Sequence, residues 1–154
     1  MEIAHFQKPT FLKPESKLSK KVAVFEKLLQ EMISRNLPEL IIQSTNHEVS
    51  LIEKASSDEK AFAKQLQKSQ STILKNLEKE LKLVPKKHYL STYMPIGMAA
   101  FGIPLGVVFG LSLGNLAFLG IGLPFGMAIG IGLGAAKDNQ AKTDGNQLDV
   151  DIFY

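Results

Sequence analysis

The chain is expected to be all-α, with an N-terminal amphipathic helical hairpin or small bundle followed by a C-terminal transmembrane hairpin of two helices. Three observations predict this. All 12 glycines fall between Gly97 and Gly145, no Asp, Glu, Lys, Arg or His occurs from Tyr89 to Ala136, and apolar residues recur at helical spacing in the first 88 residues. The bulk values, 45% hydrophobic and 21% charged, average over two chemically different halves.

The expected organisation is an extended arm over 1–15, a soluble helical domain over 16–88, a transmembrane hairpin over 89–136 and a polar, acidic tail over 137–154. Pro9 and Pro14 disfavour a helix in the arm, and Phe6, Phe11 and Leu12 suit packing on a neighbouring helix. A first helix is expected from Ser16 to Asn36, where Leu18, Val22, Phe25, Leu29 and Met32 alternate at intervals of four and three. Pro38 ends it. A second segment runs from about Glu39 to Lys54, its middle interrupted by Ser44, Thr45 and Asn46.

Ser56 followed by Glu59 fits a capping box, so a third helix is expected from there to about Val84, before Pro85. Its stripe of Phe62, Leu66, Ile73, Leu77, Leu81 and Val84 is one-sided and must be covered. The earlier helices can cover it, or a second copy can in a self-associating coiled coil.

From Met94 to Ala136 there are 43 residues, enough for two helices of the ~20 residues that cross a bilayer core. The break is placed at Gly114 and Asn115, giving spans of about 94–113 and 116–136. The halves are copies of one pattern, GxPxGxxxGxxxG, at an offset of 20: Gly102, Gly106, Gly110 and Gly114, then Gly122, Gly126, Gly130 and Gly134. Glycines four apart lie along one helix face, and in lipid only small residues let two backbones approach closely. In water the same stripe is costly, at about 0.8–1.0 kcal/mol per interior glycine relative to alanine.

Pro104 and Pro124 fall roughly 200° around from the glycines, so each is expected to kink its helix away from the interface. The other reading of Pro124 puts it in the first turn of a shorter, re-entrant helix after a loop from Leu116 to Leu123. Ser91 and Thr92 read as a cap before the first span.

Basic residues orient the hairpin. The segment before it holds 16 basic and 11 acidic groups, the segment after it 2 and 4, and the turn none. Lys75, Lys79, Lys82, Lys86 and Lys87 crowd the entry, so both termini are expected in the cytoplasm with the hairpin in the inner or plasma membrane. Tyr89 and Tyr93 suit the headgroup level, and Lys137 with Asp138 marks the exit.

The run from Met94 to Ala99, the Gly114 and Asn115 break, the glycines at spacing four and the ending from Ala141 to Leu148 resemble small bacterial glycine-zipper family membrane proteins. The resemblance covers about residues 94–148. It implies a bacterial membrane hairpin and no particular activity. The acidic end at Asp149 and Asp151 departs from the basic tail of that group.

The remaining chemistry points away from catalysis. There is no cysteine, and His5, His47 and His88 have no second ligand at i+3 or i+4, so no metal is expected. The glycine runs lack the Lys-Ser/Thr of a phosphate loop, and no charge lies within the spans to relay protons. The dispersed basic excess reads as a solvated face rather than a nucleic-acid site. Met1 to Pro9 lacks a secretory apolar run, so insertion is expected to be driven by the C-terminal block. The expected protein is non-enzymatic and free of cofactors. Its partners are membrane lipid, further copies of itself and a protein bound through the helical domain. The alternatives are a toxin-like or holin-like pore former, and a soluble or secreted cargo that shields its hairpin.

Overall fold

The computed structural model describes residues 2–152, apart from the side chains of Leu116 and Leu119. Phe153 and Tyr154, the end of the predicted tail, lie outside the described residues, as does Met1. The fold is mostly helical and divides into two units, Met1–Pro85 with Leu148–Tyr154, and Lys86–Gln147.

In the first unit, α1 (Lys17–Ile33), α2 (Glu39–Lys54) and α3 (Glu59–Leu81) bury their apolar stripes in one core. Phe25, Leu28, Ile52, Phe62 and Leu77 are fully enclosed there. The stripe of α3 has no gap between Leu66 and Ile73, because the small Ser69 is also buried and its hydroxyl accepts from Gln65 Nε2 at 2.9 Å. The arm supplies Phe6, whose ring meets Phe25 edge-on at 5.3 Å and lies over Phe62 at 6.5 Å.

The polar triplet in α2 leaves the helix unbroken. Thr45 is buried, Ser44 Oγ accepts from Asn76 Nδ2 of α3 at 2.8 Å, and Asn46 holds the arm. The Asn46 amide accepts from Ala4 N at 2.7 Å and donates to Glu2 O at 3.0 Å, satisfying extended backbone that has no strand beside it.

The ends of α3 correct the sequence reading. Its N-cap is Asp58, whose carboxylate accepts from Ala61 N at 2.8 Å, rather than Ser56. Asp58→Ala is expected to lower unfolding free energy by about 1 kcal/mol and Ser56→Ala to leave it unchanged, as read by denaturant titration of the full chain. The helix stops at Leu81, three residues before Val84. Lys82 takes a left-handed conformation, φ 57°, and Leu83 N donates to Leu77 O at 3.2 Å, which closes the end. Leu83 and Val84 are thereby released and buried, Val84 in an extended conformation that the following Pro85 favours.

The mostly helical fold also carries one short strand pair. Val84–Lys86 (β1) pairs with Gln147–Asp151 (β2). Over its described residues the predicted polar tail is therefore structured. Residues up to Thr143 continue the last helix, and Leu148 and Val150 are buried in the first unit's core. Asp149 faces out, its carboxylate 3.3 Å from Lys27 Nζ.

The second unit holds α4 (His88–Gly97), a widened π turn (Met98–Gly102), α5 (Ile103–Ser112), a short 3₁₀ turn (Leu116–Phe118) and α6 (Leu119–Thr143). The first three run on as 25 continuous helical residues, His88–Ser112. Because α6 begins at Leu119, Pro124 lies inside it, which removes the reading with a loop from Leu116 to Leu123.

Candidate functional site: a glycine-lined helical pair

Among the described residues of the second unit, the buried positions are Gly97, Gly102, Gly106, Gly110, Gly122, Gly126, Gly130 and Gly134, with Asp138 and Ala141 below them in sequence order. The large apolar side chains are outside. Leu111 is 71% exposed and Val108 59%, and Phe101, Ile103, Phe125 and Leu133 are also exposed. A water-soluble helix pair does the reverse, enclosing its Leu, Ile and Phe because that burial drives the packing.

The contacts define an antiparallel register. A Cβ placed on Gly122 would lie 2.7 Å from Gly106 Cα, one on Gly126 2.7 Å from Gly102 Cα, one on Gly130 2.9 Å from Met94 Cα, and one on Gly134 2.5 Å from Leu90 Cα. In each case the neighbour is backbone, which cannot swing aside. Two backbones this close gain dispersion contact along their length and weak Cα–H···O contacts.

Gly97 was not among the predicted packing glycines, yet a Cβ there would collide with Gly126 O and stand 2.7 Å from Gly130 Cα. It escapes a spacing-four pattern because five residues separate it from Gly102. In a regular α-helix that step misses the stripe by roughly 140°. The π turn absorbs the extra residue: Ile103 N donates to Met98 O, five residues back, so both glycines face α6.

Pro104 explains the position of that turn, since its ring crowds the carbonyl four residues earlier and it has no N–H to bond there. It sits in the first turn of α5. Pro124 lies within a continuous α6, and both prolines are exposed, away from the glycines. Pro95, which the sequence reading passed over, lies inside α4.

Gly114 departs from its predicted packing role. It is exposed, has φ 65°, and a Cβ there would meet nothing within 4 Å. Its role is the turn, where left-handed backbone favours glycine. Asn115 follows, its side-chain oxygen accepting from Ala117 N at 2.9 Å and its own N–H donating to Gly110 O at 3.0 Å. That Asx arrangement satisfies backbone groups left over where α5 stops.

At the other end of the pair, Lys87 is left-handed, φ 58°, and no side chain of its own segment caps α4. Asp138 caps it from α6. The buried carboxylate accepts from Tyr89 N at 3.0 Å and Leu90 N at 2.9 Å, satisfying two of the four free N–H groups of the helix start. Gln147 Nε2 donates to the Asp138 carbonyl at 3.3 Å. Next to it, Lys137 Nζ stands 5.2 Å from the Tyr93 ring centre and 5.5 Å from that of Tyr89.

Of the predicted flanking residues, the structure thus brings Tyr89, Tyr93 and Lys137 together. Lys82 belongs to the first unit, while Lys86 and Lys87 begin the second. Ser91 and Thr92 lie inside α4 rather than capping it, and Thr92 Oγ1 donates back to His88 O at 2.9 Å. No family model, curated protein or solved structure matches this chain.

Proposed function

We propose that the chain is a non-enzymatic integral membrane protein, with residues 89–136 inserted as a glycine-zipper hairpin and the front helices serving as a cytoplasmic docking or assembly module. One observation carries the reading: glycine backbone is enclosed and large apolar side chains face outward. Such a surface is unfavourable in water and suited to acyl chains. Two stretches, His88–Ser112 with 25 residues and Gly120–Thr143 with 24, are long and apolar enough to cross a membrane. Only 22% of each apolar window is buried, whereas a core helix of a soluble protein would be mostly buried.

The close glycine contacts fall within one chain, so self-association would use another face of the pair. A pore would need several pairs around a path, since the interior of one is filled by its own backbone.

Alkaline extraction of expressing bacteria tests the reading. The protein is expected in the membrane pellet, and recovery in the soluble extract overturns it. Because the chain has no cysteine, topology can be read with single additions. In intact spheroplasts an impermeant maleimide should modify Asn115→Cys and spare Lys60→Cys until lysis. Liposomes bearing the purified chain should retain entrapped dye, and release at every ratio tested would favour a pore.

A further inference from the structure

Between α1 and α3 lies a cavity of about 350 Å³, which no part of the membrane reading uses. Its floor is apolar, made by Val24 of α1, Leu66 and Leu74 of α3 and Ile152 beyond β2. Its rim carries Lys17, Lys20 and Lys21, which with Val24 follow the i, i+3, i+4, i+7 spacing of one helix face. Gln67, Gln70 and Ser71 of α3 line it as well, and among the described residues no acidic side chain does.

The three ammonium groups are exposed and, among the described residues, none is in an ion pair. Among the described residues of this unit the ion pairs lie elsewhere, at Lys8 with Glu26, Lys27 with Asp149 and Lys79 with Glu80. An apolar slot beneath a cluster of positive charge fits a ligand with one anionic head and one hydrocarbon body.

We infer that this groove binds a free medium- or long-chain carboxylate, with the chain on Val24, Leu66, Leu74 and Ile152 and the head among Lys17, Lys20 and Lys21. The size decides against a docked helix: a helix is roughly 10–12 Å across, and this volume takes only one or two of its side chains. It lies at the small end of the roughly 300–1,000 Å³ of small-molecule sites.

The test uses the full chain in phosphatidylcholine nanodiscs and a twelve-carbon carboxylate bearing a diazirine, with adducts mapped by mass spectrometry. Adducts are expected on peptides containing Val24, Leu66 or Leu74. Dodecanoate should displace the probe, and shorter carboxylates should weaken by about fourfold per methylene removed. Dodecyltrimethylammonium, with the same chain and opposite charge, should compete at least tenfold less well, and lysophosphatidylcholine likewise.

Lys20→Gln with Lys21→Gln should cut labelling at least fivefold, and Val24→Phe should abolish it by filling the slot. If Val24→Phe does not fold, the exposed lysine pair decides. Labelling confined to residues 88–143, equal displacement by the cation, or displacement by an acidic amphipathic peptide and not by dodecanoate overturns the assignment. The lining residues and both variants lie in the first unit, so a failure here leaves standing the membrane reading, which alkaline extraction tests separately.

Discussion

Gly126→Ala and Gly132→Ala, six residues apart on one helix, are expected to move stability in opposite directions. At Gly126 the added methyl collides with Gly102 N and lies 2.5 Å from Gly97 O and 2.7 Å from Gly102 Cα. All three are backbone, so the helices must separate, and overpacking of this kind costs about 1–3 kcal/mol. At Gly132 nothing lies within 4 Å, and alanine gains about 0.8–1.0 kcal/mol of helix propensity. Denaturation of the full chain in mild detergent, followed by circular dichroism, should therefore rank Gly132→Ala above the parent and Gly126→Ala below it. Gly126→Leu should separate the pair outright, exposing α4–α5 to protease. Equal effects at the two positions would mean that glycine serves only flexibility and that the observed register is not the stable one.

Within the helical pair, Asp138→Ala should be the most damaging single change away from the glycines. It leaves the N–H groups of Tyr89 and Leu90 without their acceptor at the start of α4. Hydrogen bonds to charged groups contribute about 1.5–3 kcal/mol each, and the two here share one carboxylate, so a loss of about 2–4 kcal/mol is expected. Asp138→Asn keeps one oxygen and should lose about half of that. Amide exchange gives the sharper reading, because protection should drop first in the first turn of α4 and leave the Gly122–Gly102 contact intact. Uniform loss along both helices would instead place Asp138 in the general stability of the pair.

Much of this was written in the sequence because its signals are periodic. The second helix matches its predicted bounds, Glu39–Lys54, and the interruption at Gly114 and Asn115 falls where the first apolar helix stops. What escaped did so for identifiable reasons. Gly97 was hidden because the register shifts by one residue at the π turn, and no spacing rule anticipates that. Asp138 was read only as an exit marker, although it stands four residues after Gly134 and so continues the stripe of Gly122, Gly126 and Gly130. A charge at the end of an apolar face can be its lock as well as its boundary. The run from Gln147 to Asp151 alternates polar and apolar with a period of two, a strand signal that its acidic residues concealed.

The pairing of β1 with β2 has a consequence for biosynthesis. Val84 is synthesised before the helical pair, whereas Leu148 and Val150, both buried with the front core, are synthesised after it. On a translating ribosome the whole apolar segment therefore emerges while the preceding bundle still lacks two of its interior side chains. Closure of the front core therefore comes last, and the final strand acts as a latch that shuts once the intervening helices have left the exit tunnel.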